Sequence, residues 1–190
     1  MKNNLLPTFS TAIAAMLAAS SVNAATLTWD AGGGGGVITN GGGAWLATGL
    51  WNDGGVAADW TSGDDAIFGG PATNGGAVTL ASPTTVNSLT FGTFTGTYTL
   101  GTAGQAMTLN NGLVMNSGAG AVSLISPVTL GAAQSWLNNS FGNLTVGTGA
   151  VDNAGFLLTI GGSGNATVSR VIGGAGGLTN KVHTPGFPFE

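Results

Sequence analysis

Between residues 77 and 180 the chain repeats one short pattern: an apolar residue, a threonine or serine, and a second apolar residue. It occurs as Val78-Thr79-Leu80, Leu89-Thr90-Phe91, Tyr98-Thr99-Leu100 and Met107-Thr108-Leu109. It returns as Val122-Ser123-Leu124, Val128-Thr129-Leu130, Leu144-Thr145-Val146, Leu158-Thr159-Ile160 and Ala166-Thr167-Val168. Successive side chains of a strand point to opposite faces, so each triplet predicts a very short strand with its apolar flanks on one face and its hydroxyl on the other. The first four centres, Thr79, Thr90, Thr99 and Thr108, are 11, 9 and 9 residues apart. Gly, Asn, Ser and Pro fill the intervals, as in Asn110-Asn111-Gly112 and Asn116-Ser117-Gly118, and these residues form turns because Gly and Asn tolerate positive φ.

Strands this short do not hold as isolated hairpins. Stacked as the rungs of a solenoid, they bury their apolar faces on one another and pair backbone from coil to coil. The pattern therefore predicts an all-β fold, a right-handed parallel β-helix. A β-sandwich is the alternative, since it also places strands every 8–12 residues, although its strands keep their alternation for longer.

Residues 25–76 differ from the rungs. They hold Trp29, Trp45, Trp51 and Trp60, five of the six aspartates, and the glycine runs 32–36 and 41–43. This segment is expected to be an N-terminal cap, because the first coil of a solenoid exposes apolar core and unpaired strand edges. Residues 77–180 form the repeat region, nearly free of charge. Residues 181–190 are irregular, with Pro185 and Pro188 and no strand pattern.

The N-terminus predicts export. Lys2 precedes an apolar run from about Phe9 to Ala19, and Val22 and Ala24 are the small residues of a secretory cleavage site, which places cleavage after Ala24. The run is shorter than the roughly 20 residues of a membrane span. No later stretch is long enough to span, so no membrane insertion of the mature chain is expected.

Composition narrows the function. Glycine is 36 of 190 residues, and each helical glycine costs about 1 kcal/mol relative to alanine, which excludes a helical fold. Residues 25–190 carry two cations, Arg170 and Lys181, against seven acidic residues, a net charge of −5. Such a surface does not neutralise phosphates and is not expected to bind nucleic acid. Cysteine is absent, so an exported chain must rely on burial and hydrogen bonding.

Little reactive chemistry is visible. The one histidine, His183, lies in the irregular tail, and no cysteine nucleophile, zinc spacing or phosphate loop occurs. Asp152 and Arg170, 18 residues apart, are about one coil apart and predict a surface ion pair. Asp59, Asp64 and Asp65 could offer oxygen ligands to calcium, but their expected use is to form turns and cap backbone amides. Trp45, Trp51 and Trp60 could form a sugar-stacking platform, but they are expected to plug the open end of the solenoid. No catalytic residue and no obligate cofactor is expected.

Two stretches carry a resemblance. Leu27-Thr28-Trp29-Asp30 with Trp51-Asn52, Asp59-Trp60, Gly63-Asp64-Asp65-Ala66-Ile67-Phe68-Gly69 and Val86-Asn87-Ser88-Leu89-Thr90-Phe91 forms one; the stretch 171–180, with Gly176-Gly177-Leu178-Thr179-Asn180, forms the other. Together they resemble autotransporter-associated β-strand repeat proteins, which are exported bacterial surface proteins. The resemblance implies a non-catalytic, β-helical, passenger-like stalk or adhesin, outside the cell or associated with the outer membrane. After Asn180 the repeat pattern breaks off, as expected of a truncated or frame-shifted gene or a fragment. The alternative is a carbohydrate-binding or carbohydrate-active β-helix with its site in the Trp-rich segment. Surface polysaccharide, other cell-surface components, or like chains through an open C-terminal coil are the expected partners.

Overall fold

The computed structural model describes residues 24–70 and 74–181. The predicted export segment up to residue 23 and the tail from 182, including His183, lie outside the described residues. Twenty strands form three sheets, and no described residue is helical.

The cap contains β1 (Thr26–Trp29), β2 (Gly43–Ala44), β3 (Trp51–Asp53) and β4 (Val56–Ala58). Five coils of three strands follow. They are β5 (Asp65–Phe68), β6 (Ala77–Thr79) and β7 (Thr84–Val86); β8 (Leu89–Phe91), β9 (Thr97–Leu100) and β10 (Met107–Leu109); and β11 (Leu113–Met115), β12 (Ala121–Leu124) and β13 (Val128–Leu130). The last two are β14 (Gln134–Asn138), β15 (Leu144–Val146) and β16 (Val151–Asp152); and β17 (Leu158–Gly161), β18 (Ala166–Val168) and β19 (Ile172–Gly173). β20 (Leu178–Asn180) begins a sixth coil.

Every third strand pairs in parallel with its counterpart in the next coil, giving sheets ordered β20-β17-β14-β11-β8-β5-β1-β3-β4, β18-β15-β12-β9-β6-β2 and β19-β16-β13-β10-β7. The fold is thus the predicted parallel β-solenoid and not two facing antiparallel sheets. One coil takes 24 residues from Leu89 to Leu113, 23 from Leu113 to Trp136, and 20 from Leu158 to Leu178.

The triplet pattern explains the core. In β8, β10, β13 and β15 both apolar flanks are buried and the central threonine is half-exposed. Register stacks like on like: Ala66, Leu89, Leu113, Trp136 and Ile160 form one inward column of the first sheet, and Phe68, Phe91, Met115 and Asn138 form the next. Phe68 and Phe91 stack at 5.4 Å with an interplanar angle of 18°. Burying each such side chain contributes about 1.5–3 kcal/mol, so stability grows with the number of coils rather than with the length of any strand.

Asn138 interrupts its column with a polar group that has no exposure. Its Nδ2 donates to the Gly142 and Asn165 carbonyls at 2.8 and 2.7 Å, and its Oδ1 accepts the Ser140 amide at 2.9 Å. Ser140 Oγ donates to the Ala119 carbonyl one coil back and accepts the Gly142 amide. These two side chains supply the hydrogen bonds that a corner turn cannot make within itself.

The two ends differ. At the N-terminal end the hairpin β3–β4 turns antiparallel against β1 and ends the parallel ladder. The glycine run 32–36 then lies along β4: the Gly36 amide donates to the Gly55 carbonyl at 3.0 Å. A Cβ on Gly35 would fall 2.7 Å from the Gly55 carbonyl and 2.8 Å from the Ala57 nitrogen. Only glycine can approach the strand this closely, and the run shields an edge that would otherwise template further pairing. At the C-terminal end β18, β19 and β20 have no strand on their outer sides among the described residues.

Candidate functional site

The Trp-rich cap is built from strand ends. β1 places Trp29 inward, β3 places Trp51 inward, and the segment after β2 carries Trp45. Trp29, Trp45 and Trp51 have no exposed surface, and Trp60 packs half-buried against them. The rings meet edge to face: Trp45 and Trp51 at 4.9 Å, Trp45 and Trp60 at 4.9 Å, Trp29 and Trp51 at 5.3 Å. Phe68 continues the cluster into the first coil, 5.5 Å from Trp45. This is a plug over the open end of the core. It leaves no free ring face on Trp45 or Trp51 for a sugar to stack on; of the three proposed rings only Trp60 keeps some exposure.

The Trp29 indole donates to the Gly41 carbonyl at 3.0 Å and the Trp51 indole to the Trp45 carbonyl at 2.8 Å. The Trp45 and Trp60 indole nitrogens are buried with no hydrogen-bond partner. Tyr98, one coil further in, is fully buried and donates its hydroxyl to Asn40 Oδ1 at 2.9 Å. Burial pushes the Tyr98 hydroxyl up to about 12.

Asp59 and Asp64 accept backbone amides, and Asp65 accepts side chains. Asp64 is buried; its Oδ1 accepts the Ala25 amide and its Oδ2 the Thr61 amide, both at 3.0 Å. Asp65 Oδ1 accepts Asn87 Nδ2 at 2.8 Å and the Ser88 hydroxyl, tying the first coil to the second. Asp59 stands apart and accepts the Gly49 amide at 2.7 Å. Among the described residues no three acidic or histidine side chains converge on a point that could hold a metal ion. Asp64 and Asp65 do border a shallow cleft of about 510 Å³ with Thr61, Ser62, Gly63 and Asn87, but both Asp64 oxygens are already occupied.

Asp30 was not singled out from the sequence. It is buried and accepts the Gly32 and Thr39 amides at 3.2 and 3.0 Å through one oxygen. Its role is to fold the chain on either side of the glycine run.

The expected Asp152–Arg170 ion pair is not formed. Asp152 aligns with Gly173, 21 residues on, and accepts the Ala154 amide at 2.9 Å. Arg170 falls three residues short of that register and donates Nε to the Gly147 carbonyl at 3.0 Å.

The open C-terminal end is the other concave feature. A cleft of about 440 Å³ exposes the interior of the last coil between Ile160, Val168, Ile172 and Leu178, with Arg170 and Lys181 also in its lining. The sequence pointed to an open C-terminal coil as a place where like chains could meet, but named no residues for it. The available signal was that the only two cations of residues 25–190 lie so close to its end.

No protein-family model matches the chain, no curated protein matches it, and no solved structure matches it.

Proposed function

We propose that this is an exported, non-catalytic structural protein of the bacterial surface, a rigid β-helical stalk or adhesin-like segment with a tryptophan-plugged N-terminal end. The observation that carries the reading is the use of the polar side chains. Asp30, Asp64, Asp65, Gln134, Asn138, Ser140 and Asn153 each hydrogen-bond turns or neighbouring coils. Groups committed in this way build a scaffold, and function on such a scaffold belongs to its surface. The resemblance to autotransporter-associated β-strand repeat proteins supports the same role and a location outside the cell.

The test is to express the full chain in a secreting host, fractionate the cells and sequence the exported N-terminus, then assay glycan and cell adhesion. Cleavage after Ala24 with adhesion, or with a purely mechanical rod, supports the reading. Retention in the cytoplasm, or polysaccharide turnover abolished by Asp152→Ala, overturns it.

A second reading, carbohydrate binding at the cap, has one observation in its favour: Trp60 is partly exposed beside three buried rings. Trp60→Ala should then abolish glycan binding while cooperative unfolding persists. Glycan binding unchanged in a folded Trp60→Ala variant sinks it.

A further inference from the structure

The exposed apolar side chains are distributed in a telling way. Val37, Leu46 and Val56 lie in the N-terminal cap, at 80%, 41% and 67% exposure, and Phe156, Leu157, Val171 and Leu178 lie in the last coil and the turn beneath it. Phe141 alone stands on a middle coil. On the long sides the other outward apolar residues, such as Ile67, Val114 and Leu137, are only half-exposed, whereas both ends carry strongly exposed ones.

Charge divides along the same axis. Val56 sits on β4 with Asp53 and Asp59 on either side of it, both exposed. At the other end Arg170 and Lys181 are exposed beside Val171 and Leu178. Among the described residues the outermost exposed charges are acidic at the head and basic at the tail, with exposed Asp152 one coil back from the tail. The tail's last strands are unfinished: β18 and β20 are mostly or wholly exposed where inner strands bury both flanks.

We infer that copies of this chain associate head to tail, the basic, open C-terminal coil of one copy seating on the acidic, tryptophan-plugged cap of the next. Two tails facing each other would set Arg170 and Lys181 against their own copies, whereas the head presents opposite charge and matching apolar side chains. Because the glycine run covers the outer edge of β4, the contact is the stacking of two end faces and not a continuous β-ladder. A heterologous contact along the rod axis does not close on itself, so it propagates into linear filaments. The inference deepens the structural role proposed above and rests on it.

The test uses the full chain purified from a secreting host, with sedimentation velocity over a concentration series. A small interface between such ends should raise the weight-average mass at least about twofold between about 1 and 100 μM. Arg170→Glu with Lys181→Glu should abolish the rise, and so should Asp53→Lys with Val56→Lys. Mixing these two variants restores opposite charge at every junction and should restore association. Circular dichroism and the thermal midpoint establish that each variant is folded. Three outcomes overturn the inference: a wild-type chain that stays monomeric throughout, an association that stops at a dimer, or folded variants that associate as wild type does. A monomeric wild type that begins to associate only when residues 182–190 are deleted overturns it too, by making that segment the occupant of the tail. A chain that is exported and adhesive yet monomeric defeats this inference while leaving the structural role intact.

Discussion

The indole nitrogen of Trp51 donates to the main-chain carbonyl of Trp45 at 2.8 Å, while the indole nitrogen of Trp45 itself has no partner. Two neighbouring tryptophans of equal burial therefore do different work, one packing and bonding, the other packing alone.

That difference is measurable. Truncating either ring to alanine should cost about 3–5 kcal/mol and strip the end of the core of its cover. Replacing each by phenylalanine should separate them: Trp51→Phe loses the bond to Trp45 and should be about 1 kcal/mol worse than Trp45→Phe. Denaturant unfolding of the four variants, followed by circular dichroism, checks the ordering. Equal losses for the two phenylalanine variants would show that the bond contributes nothing.

Tyr98 gives the fold an alkaline limit. Its hydroxyl titrates near 12 in the folded chain against about 10 when unfolded. The folded state thus favours the neutral phenol. The associated stability is fully present below about pH 10 and is lost as pH rises toward about 12, by roughly 2–3 kcal/mol. Tyr98 is the chain's only tyrosine, so phenolate absorbance reads it directly. A midpoint near 10 in the folded protein would contradict its burial, and Tyr98→Phe should flatten the alkaline decline.

Asn138 and Ser140 should behave as one unit. Asn138→Ala leaves the buried Ser140 amide without its partner, at about 1–3 kcal/mol, and hands the more exposed Gly142 and Asn165 carbonyls to water. Ser140→Ala strands the Ala119 carbonyl and the Gly142 amide. The double variant should cost less than the two single losses combined, because the groups share one network. Hydrogen exchange at residues 140–142 and 165 should rise in all three.

Two glycines with similar backbone angles should respond very differently. Gly104 has φ +85° and open space around a would-be Cβ, so Gly104→Ala should cost about 1–2 kcal/mol of backbone strain. Gly112 has φ +93°, and its Cβ would lie 2.3 Å from the Ser135 carbonyl one coil on. Gly112→Ala must push two coils apart and should cost at least about 3 kcal/mol, by adding overpacking to that strain. Thermal unfolding of the pair compares them.

The triplets were legible where strand and chemistry agreed. Leu89–Phe91, Met107–Leu109, Val128–Leu130 and Leu144–Val146 are strands with the predicted bounds. The strands that escaped break the apolar–hydroxyl–apolar code. In β11 the outward position is Val114, and in β14 the outward Leu137 and the polar flank Gln134 of Ser135 hide the pattern. In β7 and β14 an inward position is polar: Thr84, Gln134 and Asn138 are all buried. Six of the fifteen strands from β6 to β20 lack the triplet, which hid the coil length and set the Asp152–Arg170 expectation at the wrong period. The tryptophan plug was legible because four bulky rings before the first rung had few other places to go. The N-terminal edge shield was not, because a glycine run reads as a loop until the strand beneath it is known.

In the nine-stranded sheet the shielded β4 edge and the bare edge of β20 leave one growing end, like a crystal seed. Every coil beyond the cap meets the same three-sided surface that the coil before it met. Rod length is therefore free to vary in steps of some 20 to 24 residues without redesign of either the seed or the existing stack.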